Sequence, residues 1–200
     1  TAEPGSTHVP ESWSKDGRYL SFSVIRGSQS ELWLYSVGDR KVARFSDVTS
    51  TFPLNSAFSP DSQWLAYTMR ESALGEVYVR SVQRPADRYK ISTLAVGHHH
   101  PLWAPNAKEL YFFGGDTFVA VPITLGSTVS WGVQVSVPGA IPSAHTSMSP
   151  RNYDITPDGR EFVWTAPVVD AAVPVRGGAG ATVRIVLNWF EQLKVLEAGK

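Results

Sequence analysis

The residues whose chemistry needs testing first are five histidines and a recurring acidic turn. His98, His99 and His100 are consecutive, and adjacent imidazoles can hold a transition metal. In a regular strand His98 and His100 would share a face while His99 points away. His8 stands five residues before Trp13, and His98 five before Trp103, so the two occupy equivalent places. His8, His98, His100 and His145 are therefore the candidate ligand-binding set, converging on one opening. No Asp or Glu pattern beside them supports a catalytic metal, so polar lining of that opening is the simpler reading, and no cofactor is expected. An opening lined by histidines would titrate near neutral pH. The acidic candidates are Asp16, Asp61 and Asp158, with Asn106 in the same place. Each sits in a turn where its side chain can accept from nearby backbone N–H groups, which makes them structural. Asp16-Gly17 and Asp158-Gly159 are adjacent pairs, unlike an Asp box, and no run of alternating oxygen ligands exists for calcium. No Gly-x-Ser-x-Gly elbow offers a nucleophile. The glycines at 177–180 precede a strand and not a helix, so they make no phosphate cradle.

The elements that must position these residues announce themselves by repetition. Ser12 to Phe22 contains an aromatic residue, a tight polar turn and an alternating run, and the pattern returns at Ala57–Tyr67, Leu102–Phe112 and Asp154–Trp164. Asp16 to Asp61 is 45 residues, Asp61 to Asn106 is 45, and Asn106 to Asp158 is 52. That period marks a propeller-type repeat. Helical periodicity is absent, so the fold class is all-β: about four blades of four-stranded antiparallel sheet, the last incomplete.

The expected blades are 8–47, 48–94, 95–139 and 140–190, after a linker at 1–7 and before a tail at 191–200. The first has strands at Ser12–Ser14, Tyr19–Ile25, Glu31–Val37 and Lys41–Ser46, joined by Asp-Gly-type turns. The second has Leu54–Phe58, Trp64–Met69, Glu76–Ser81 and Tyr89–Leu94. The third has Pro101–Trp103, Leu110–Phe113, Thr117–Ile123 and Val133–Val137. The fourth has Tyr153–Ile155, Glu161–Thr165 and Val183–Phe190, then a short helix at 191–196 and no fourth strand. Thr1 to Pro10 is short and carries proline, a poor donor of that missing strand. Rings need about four to eight blades. The chain is therefore expected to be part of a larger ring, or to complete one with another copy.

Composition narrows the partners. Eighteen basic and eighteen acidic residues cancel, so no broad field favours nucleic acid or an anionic membrane. There is no cysteine, which excludes disulfides and thiolate chemistry. No apolar run approaches the roughly 20 residues of a membrane helix. The opening Thr1-Ala2-Glu3-Pro4-Gly5-Ser6, without a starting Met, reads as a mature or excised piece.

Ser59-Pro60-Asp61-Ser62, Ser14-Lys15-Asp16-Gly17 and Thr156-Pro157-Asp158-Gly159 resemble the turns of WD-repeat-like, TolB-type propellers. Arg151 to Arg160, followed by Ile185 to Lys194, resembles the C-terminus of bacterial propeller regions fused behind eukaryotic-like Ser/Thr kinases and related regulatory proteins. The resemblance implies a regulatory or extracytoplasmic (periplasmic) interaction module rather than a defined chemistry. No kinase motif is present to carry activity over. The expected function is non-catalytic binding of a protein, peptide or small ligand at the axial face of the ring. The other reading is the gating portion of a hydrolase such as a prolyl-oligopeptidase-like peptidase.

Overall fold

Each copy of the turn pattern folds into its own antiparallel sheet. The computed structural model describes residues 4–51, 53–70, 74–93, 96–115, 117–137, 149–167 and 181–186. Over them the chain is all-β. Blade 1 comprises β1 (Ser6–Trp13), β2 (Tyr19–Arg26), β3 (Gln29–Ser36) and β4 (Lys41–Ser50), in that spatial order. Blade 2 comprises β5 (Ala57–Phe58), β6 (Trp64–Met69), β7 (Glu76–Ser81) and β8 (Arg88–Lys90). Blade 3 runs from β9 (His98–Trp103) through β10 (Glu109–Gly114) to β11 (Thr117–Leu125). Its outer edge is two short strands, β12 (Val129–Trp131) and β13 (Val135–Ser136), both paired with β11. Blade 4 shows β14 (Tyr153–Ile155), β15 (Phe162–Pro167) and β16 (Ala181–Val186).

Three differences from the sequence expectation have physical causes. β1 begins at Ser6, well before Ser12, and carries Pro10 inside it. An innermost strand tolerates proline because one side of it has no ladder to donate to. The outer edge of blade 3 was expected as one strand at Val133–Val137, but β12 pairs at Ile123–Leu125 and β13 at Val119–Ala120. The chain turns tightly after Leu125, where the Gly126 N–H reaches the Thr128 carbonyl at 3.1 Å, and Gly132 then steps it between the two pieces. In blade 2 the first strand is only Ala57–Phe58 where Leu54–Phe58 was expected, because Asn55 is left-handed at φ 48° and cannot extend it, and the fourth is Arg88–Lys90 where Tyr89–Leu94 was expected. The helix expected at 191–196 and the glycine loop at 177–180 lie outside the described residues.

The core lies between blades. One cluster joins Leu32, Phe45 and Val48 of blade 1 to Leu65, Tyr67 and Tyr78 of blade 2. A second joins Trp64, Val77 and Val79 of blade 2 to Trp103, Leu110 and Phe112 of blade 3. A third joins Tyr111, Phe113 and Phe118 of blade 3 to Tyr153, Phe162 and Trp164 of blade 4. Full burial of each such side chain stabilises the fold by about 1.5–3 kcal/mol. In the third cluster Phe118 meets Tyr153 and Phe162 edge-on at 5.4 and 5.2 Å, the arrangement ring quadrupoles favour.

Candidate functional site

The acidic turns are the same object four times over. Asp16 Oδ1 accepts from Ser14 Oγ at 2.7 Å and from the Arg18 N–H at 3.0 Å. Asp61 accepts from Ser59 Oγ at 2.5 Å and the Gln63 N–H at 3.0 Å. Asp158 accepts from Thr156 Oγ1 at 2.6 Å and the Arg160 N–H at 3.1 Å, while Asn106 accepts from the Lys108 N–H at 2.9 Å. The Ser14 hydroxyl and then the Arg18 N–H hold the Asp16 carboxyl down at about 2. In each copy the next residue is left-handed: Gly17 at φ 71°, Ser62 at 61°, Ala107 at 60° and Gly159 at 73°. In each copy one side-chain oxygen is engaged in holding the turn closed.

The histidines separate. His100 has φ 58°, and the β9–β10 register slips between Tyr111 and Phe113, a bulge that breaks the strand's alternation. His99 and His100 consequently meet, with Nδ1 atoms 2.7 Å apart, where regular alternation would have set His98 beside His100. His98 packs its ring edge-on against Phe112 at 5.4 Å, inside the seam between blades 2 and 3. It is fully buried, and that burial pushes its imidazole down to about 4, well away from neutral. His99 stacks on Phe113 in the next seam. His8 lies beside Phe22 and Ser6 Oγ. His145 lies outside the described residues. Among the described residues no group of three His, Asp or Glu is disposed to hold a metal ion.

A different set of residues meets at the axis. β1 also bulges, its register with β2 slipping between Pro10 and Ser12, and Glu11 is the residue left over. The freed carboxylate crosses to the start of blade 2. Its Oε1 accepts the Asn55 N–H at 3.1 Å and the Ser23 hydroxyl; its Oε2 accepts the Ser56 N–H at 2.7 Å and the Ser56 hydroxyl. Asn55, left-handed at φ 48°, stands six residues before its turn, where His100 stands in blade 3. Its amide reaches across to the segment leading into blade 4: Nδ2 donates to the Ser149 carbonyl at 3.5 Å and Oδ1 accepts the Arg151 N–H at 3.2 Å. His100 Nε2 lies 2.7 Å from the same Ser149 carbonyl, and Arg151 Nη1 donates to the Pro101 carbonyl at 2.9 Å. The inner ends of all four blades are tied together by this network.

Beside it opens a pocket of about 210 Å³, walled by Val9, Pro10, Glu11, Ser23 and Ile25 of blade 1, Pro53, Asn55 and Ser56 of blade 2, and Pro150 and Arg151. Its walls are mainly aliphatic, with one carboxylate and one guanidinium. Glu11 already accepts four hydrogen bonds and serves as scaffold. Arg151 lines the pocket and donates through Nη1 to Pro101, one of the five N–H donors a guanidinium carries. Sequence reasoning missed Glu11, Asn55 and Arg151. Counting back five or six positions from each turn residue would have found the first two; Arg151 has no such signal.

Comparison with known proteins places the architecture. No protein-family model matches the chain, and no curated protein matches it. Among solved structures it is similar to TolB from Acinetobacter baumannii, at 14% identity and a TM-score of 0.67 over 94% of this chain and 42% of that one. It is also similar to the β-propeller domain of the Trilobed protease from Pyrococcus furiosus (12% identity, TM-score 0.52, 90% of this chain and 54% of that one). A prolyl endopeptidase is similar as well, at 10% identity and a TM-score of 0.54 over 94% of this chain and 29% of that one. The chain thus has the fold of a TolB-type β-propeller and spans about half the length, or less, of these structures. The likenesses speak to the fold and not to the kinase-associated subgroup.

Proposed function

We propose that this chain is a non-catalytic binding module that takes a protein, peptide or small ligand in the axial pocket. The observation that carries the reading is the pocket between Glu11, Asn55 and Arg151, where rigid inner strands of separate blades hold aliphatic walls around a guanidinium. Such a site suits an extended segment with an apolar side chain and a carboxylate or carbonyl for Arg151 to donate to. The likeness to TolB, and the resemblance of the turn motifs, support an interaction role within a larger regulatory or extracytoplasmic protein.

The test is calorimetric titration with a panel of acetylated tripeptides ending in a free carboxylate after an aliphatic or proline residue. Binding is expected to fall at least about tenfold in Arg151→Ala, the loss of one charge-assisted contact. Peptides that bind the variant as tightly as the parent would move the site elsewhere.

A second reading follows from the likeness to the prolyl endopeptidase and the Trilobed protease: the chain as the propeller that screens substrates for a hydrolase. The flanking sequence of its reading frame decides between the two, since this reading needs an α/β-hydrolase domain on the same polypeptide.

A further inference from the structure

A second recess, sharing no residue with the axial pocket, lies where the acidic turns of blades 2 and 3 meet the outer strands of blade 3. Its volume is about 560 Å³, within the roughly 300–1,000 Å³ of small-molecule sites. Trp131 of β12 lines it. The register partner of Trp131, Ile123, is buried in the seam between blades 2 and 3. The indole meets Tyr89 edge-on at 6.2 Å, and Tyr89 meets the buried Trp64 edge-on at 5.9 Å. This series of rings runs from the core to the surface and holds the Trp131 indole in place, while the residue stays 37% exposed. The electron-rich face of such a ring attracts polarised C–H groups.

The other walls carry polar groups that the fold does not consume. Asp61 gives Oδ1 to its own turn, which leaves Oδ2 to accept. Asn106 accepts the Lys108 N–H through Oδ1, which leaves its amide nitrogen to donate. Thr124 and Ser130, partners across β11 and β12, add two hydroxyls. The charges are divided in an unusual way. In blade 1 the cation two places after the turn residue closes on its own carboxylate, Arg18 Nε to Asp16 Oδ2 at 2.6 Å. In blade 2 Asp61 is followed by Gln63, and in blade 3 Lys108 follows Asn106, so the anion stands on one blade and the cation on the next. Both line the recess, and among the described residues neither joins an ion pair.

We propose that this recess binds a neutral oligosaccharide, with one pyranose ring stacked on Trp131 and its hydroxyls shared among Asp61, Asn106 and Lys108. A sugar hydroxyl both donates and accepts, as does a serine or threonine hydroxyl. It therefore matches a wall that offers a carboxylate, an amide, an ammonium and two hydroxyls around one aromatic face. Other ligand classes fit less well. A phosphate would face the Asp61 carboxylate, and a wholly apolar molecule would strip water from Asp61 and Lys108. An extended peptide would find backbone partners already taken: the Ile123 N–H donates to the Lys108 carbonyl and the Gly132 N–H to the Pro122 carbonyl, both at 2.8 Å. A small zwitterion would match the two charges and leave the Thr124 and Ser130 hydroxyls unused.

The test is saturation-transfer NMR of the 200-residue chain with cellotriose, maltotriose and chitotriose, each at millimolar concentration. At least one is expected to bind, with the strongest transfer to the C–H protons on one face of a ring. Trp131→Ala should weaken that binding at least about tenfold, as loss of a central tryptophan does. Trp13→Ala, at a residue 59% exposed outside the recess, should leave it unchanged, and so should Arg151→Ala in the axial pocket. In the unsubstituted chain, the bound trisaccharide should slow hydroxyl-radical oxidation of Trp131 and not of Trp13, a readout that needs no variant to fold. Absence of transfer to all three sugars overturns the proposal. So does undiminished binding in Trp131→Ala, or oxidation of Trp131 at the same rate with and without sugar. Loss of sugar binding in Arg151→Ala overturns it as well, by moving the sugar to the axial pocket.

Discussion

At the scale of single residues, two positions hold conformations or charge states that their types resist. Ala107 sits left-handed at φ 60° in the turn where two other copies place glycine. The Cβ penalty there exceeds glycine's extra entropy in the unfolded chain, so Ala107→Gly is expected to stabilise the fold by about 0.5–1 kcal/mol, read as a raised urea midpoint. Ser62 shares the backbone geometry but accepts the Asp16 N–H at 3.2 Å, so the same replacement there should gain less. His98 is the other case. Burial lowers its imidazole from 6.5 to about 4, so as pH falls the unfolded chain takes up the proton first. Stability from this residue is therefore complete above about 6.5 and is lost progressively down to about 4. Asp16 and Asp47, both lowered to about 2, contribute above 3.8 and lose their contribution only below it. Urea midpoints measured across pH should separate the two windows. His98→Phe keeps a ring against Phe112 and should flatten the upper window alone; an unchanged slope in that variant would assign the titration to another group.

At the scale of elements, the bulge in β1 does what a regular strand cannot. Regular alternation would commit Glu11 to one face of blade 1, whereas the bulge aims its carboxylate at the start of blade 2. Glu11→Ala would strand the Asn55 and Ser56 N–H groups and two hydroxyls. A loss of about 2–4 kcal/mol is expected from two orphaned backbone donors, with Glu11→Gln between the variant and the parent. Equal stability of Glu11→Ala and the parent would show that water replaces the carboxylate without cost. Trp103 tests the seam between blades 2 and 3 in the same way. Trp103→Phe retains most of the packing but loses the bond to the Ala57 carbonyl, so a cost of about 1–3 kcal/mol is expected.

At the scale of the whole molecule, burial is unequal along the arc. Blades 2 and 3 have neighbours on both faces, with Leu65 and Val77 of blade 2 and Leu110 and Phe112 of blade 3 at zero exposure. Among the described residues blade 1 packs against blade 2 on one face, and on its other face Trp13 and Val42 are exposed. Amide exchange in the 200-residue chain should therefore be slowest in β6, β7 and β10 and faster in β3 and β4, because opening blade 1 sacrifices the seam with blade 2 and opening blade 2 sacrifices two. Uniform protection across the three blades would mean that the arc opens only as a unit.

The sequence by itself determined the repeat, the all-β class and the turns. Those depend on local chemistry: Asp, Asn, Ser and Gly at fixed offsets select a turn whatever surrounds them, and alternation selects strands. It also showed which aromatic residues recur, though not which of them would be covered. Tertiary structure alone brought together the residues of the candidate site. Bulges at Glu11 and His100 change where side chains point, and a bulge arises from how two strands settle against their neighbours, not from the strand's own pattern. His98 and His99 pack against Phe112 and Phe113 in two different seams and His100 joins the inner network, while Glu11, Asn55 and Arg151, separated by 44 and 96 positions in sequence, became neighbours. Proximity across the axis of a ring leaves no periodic trace in the chain, because it is the closing of blade upon blade that creates it.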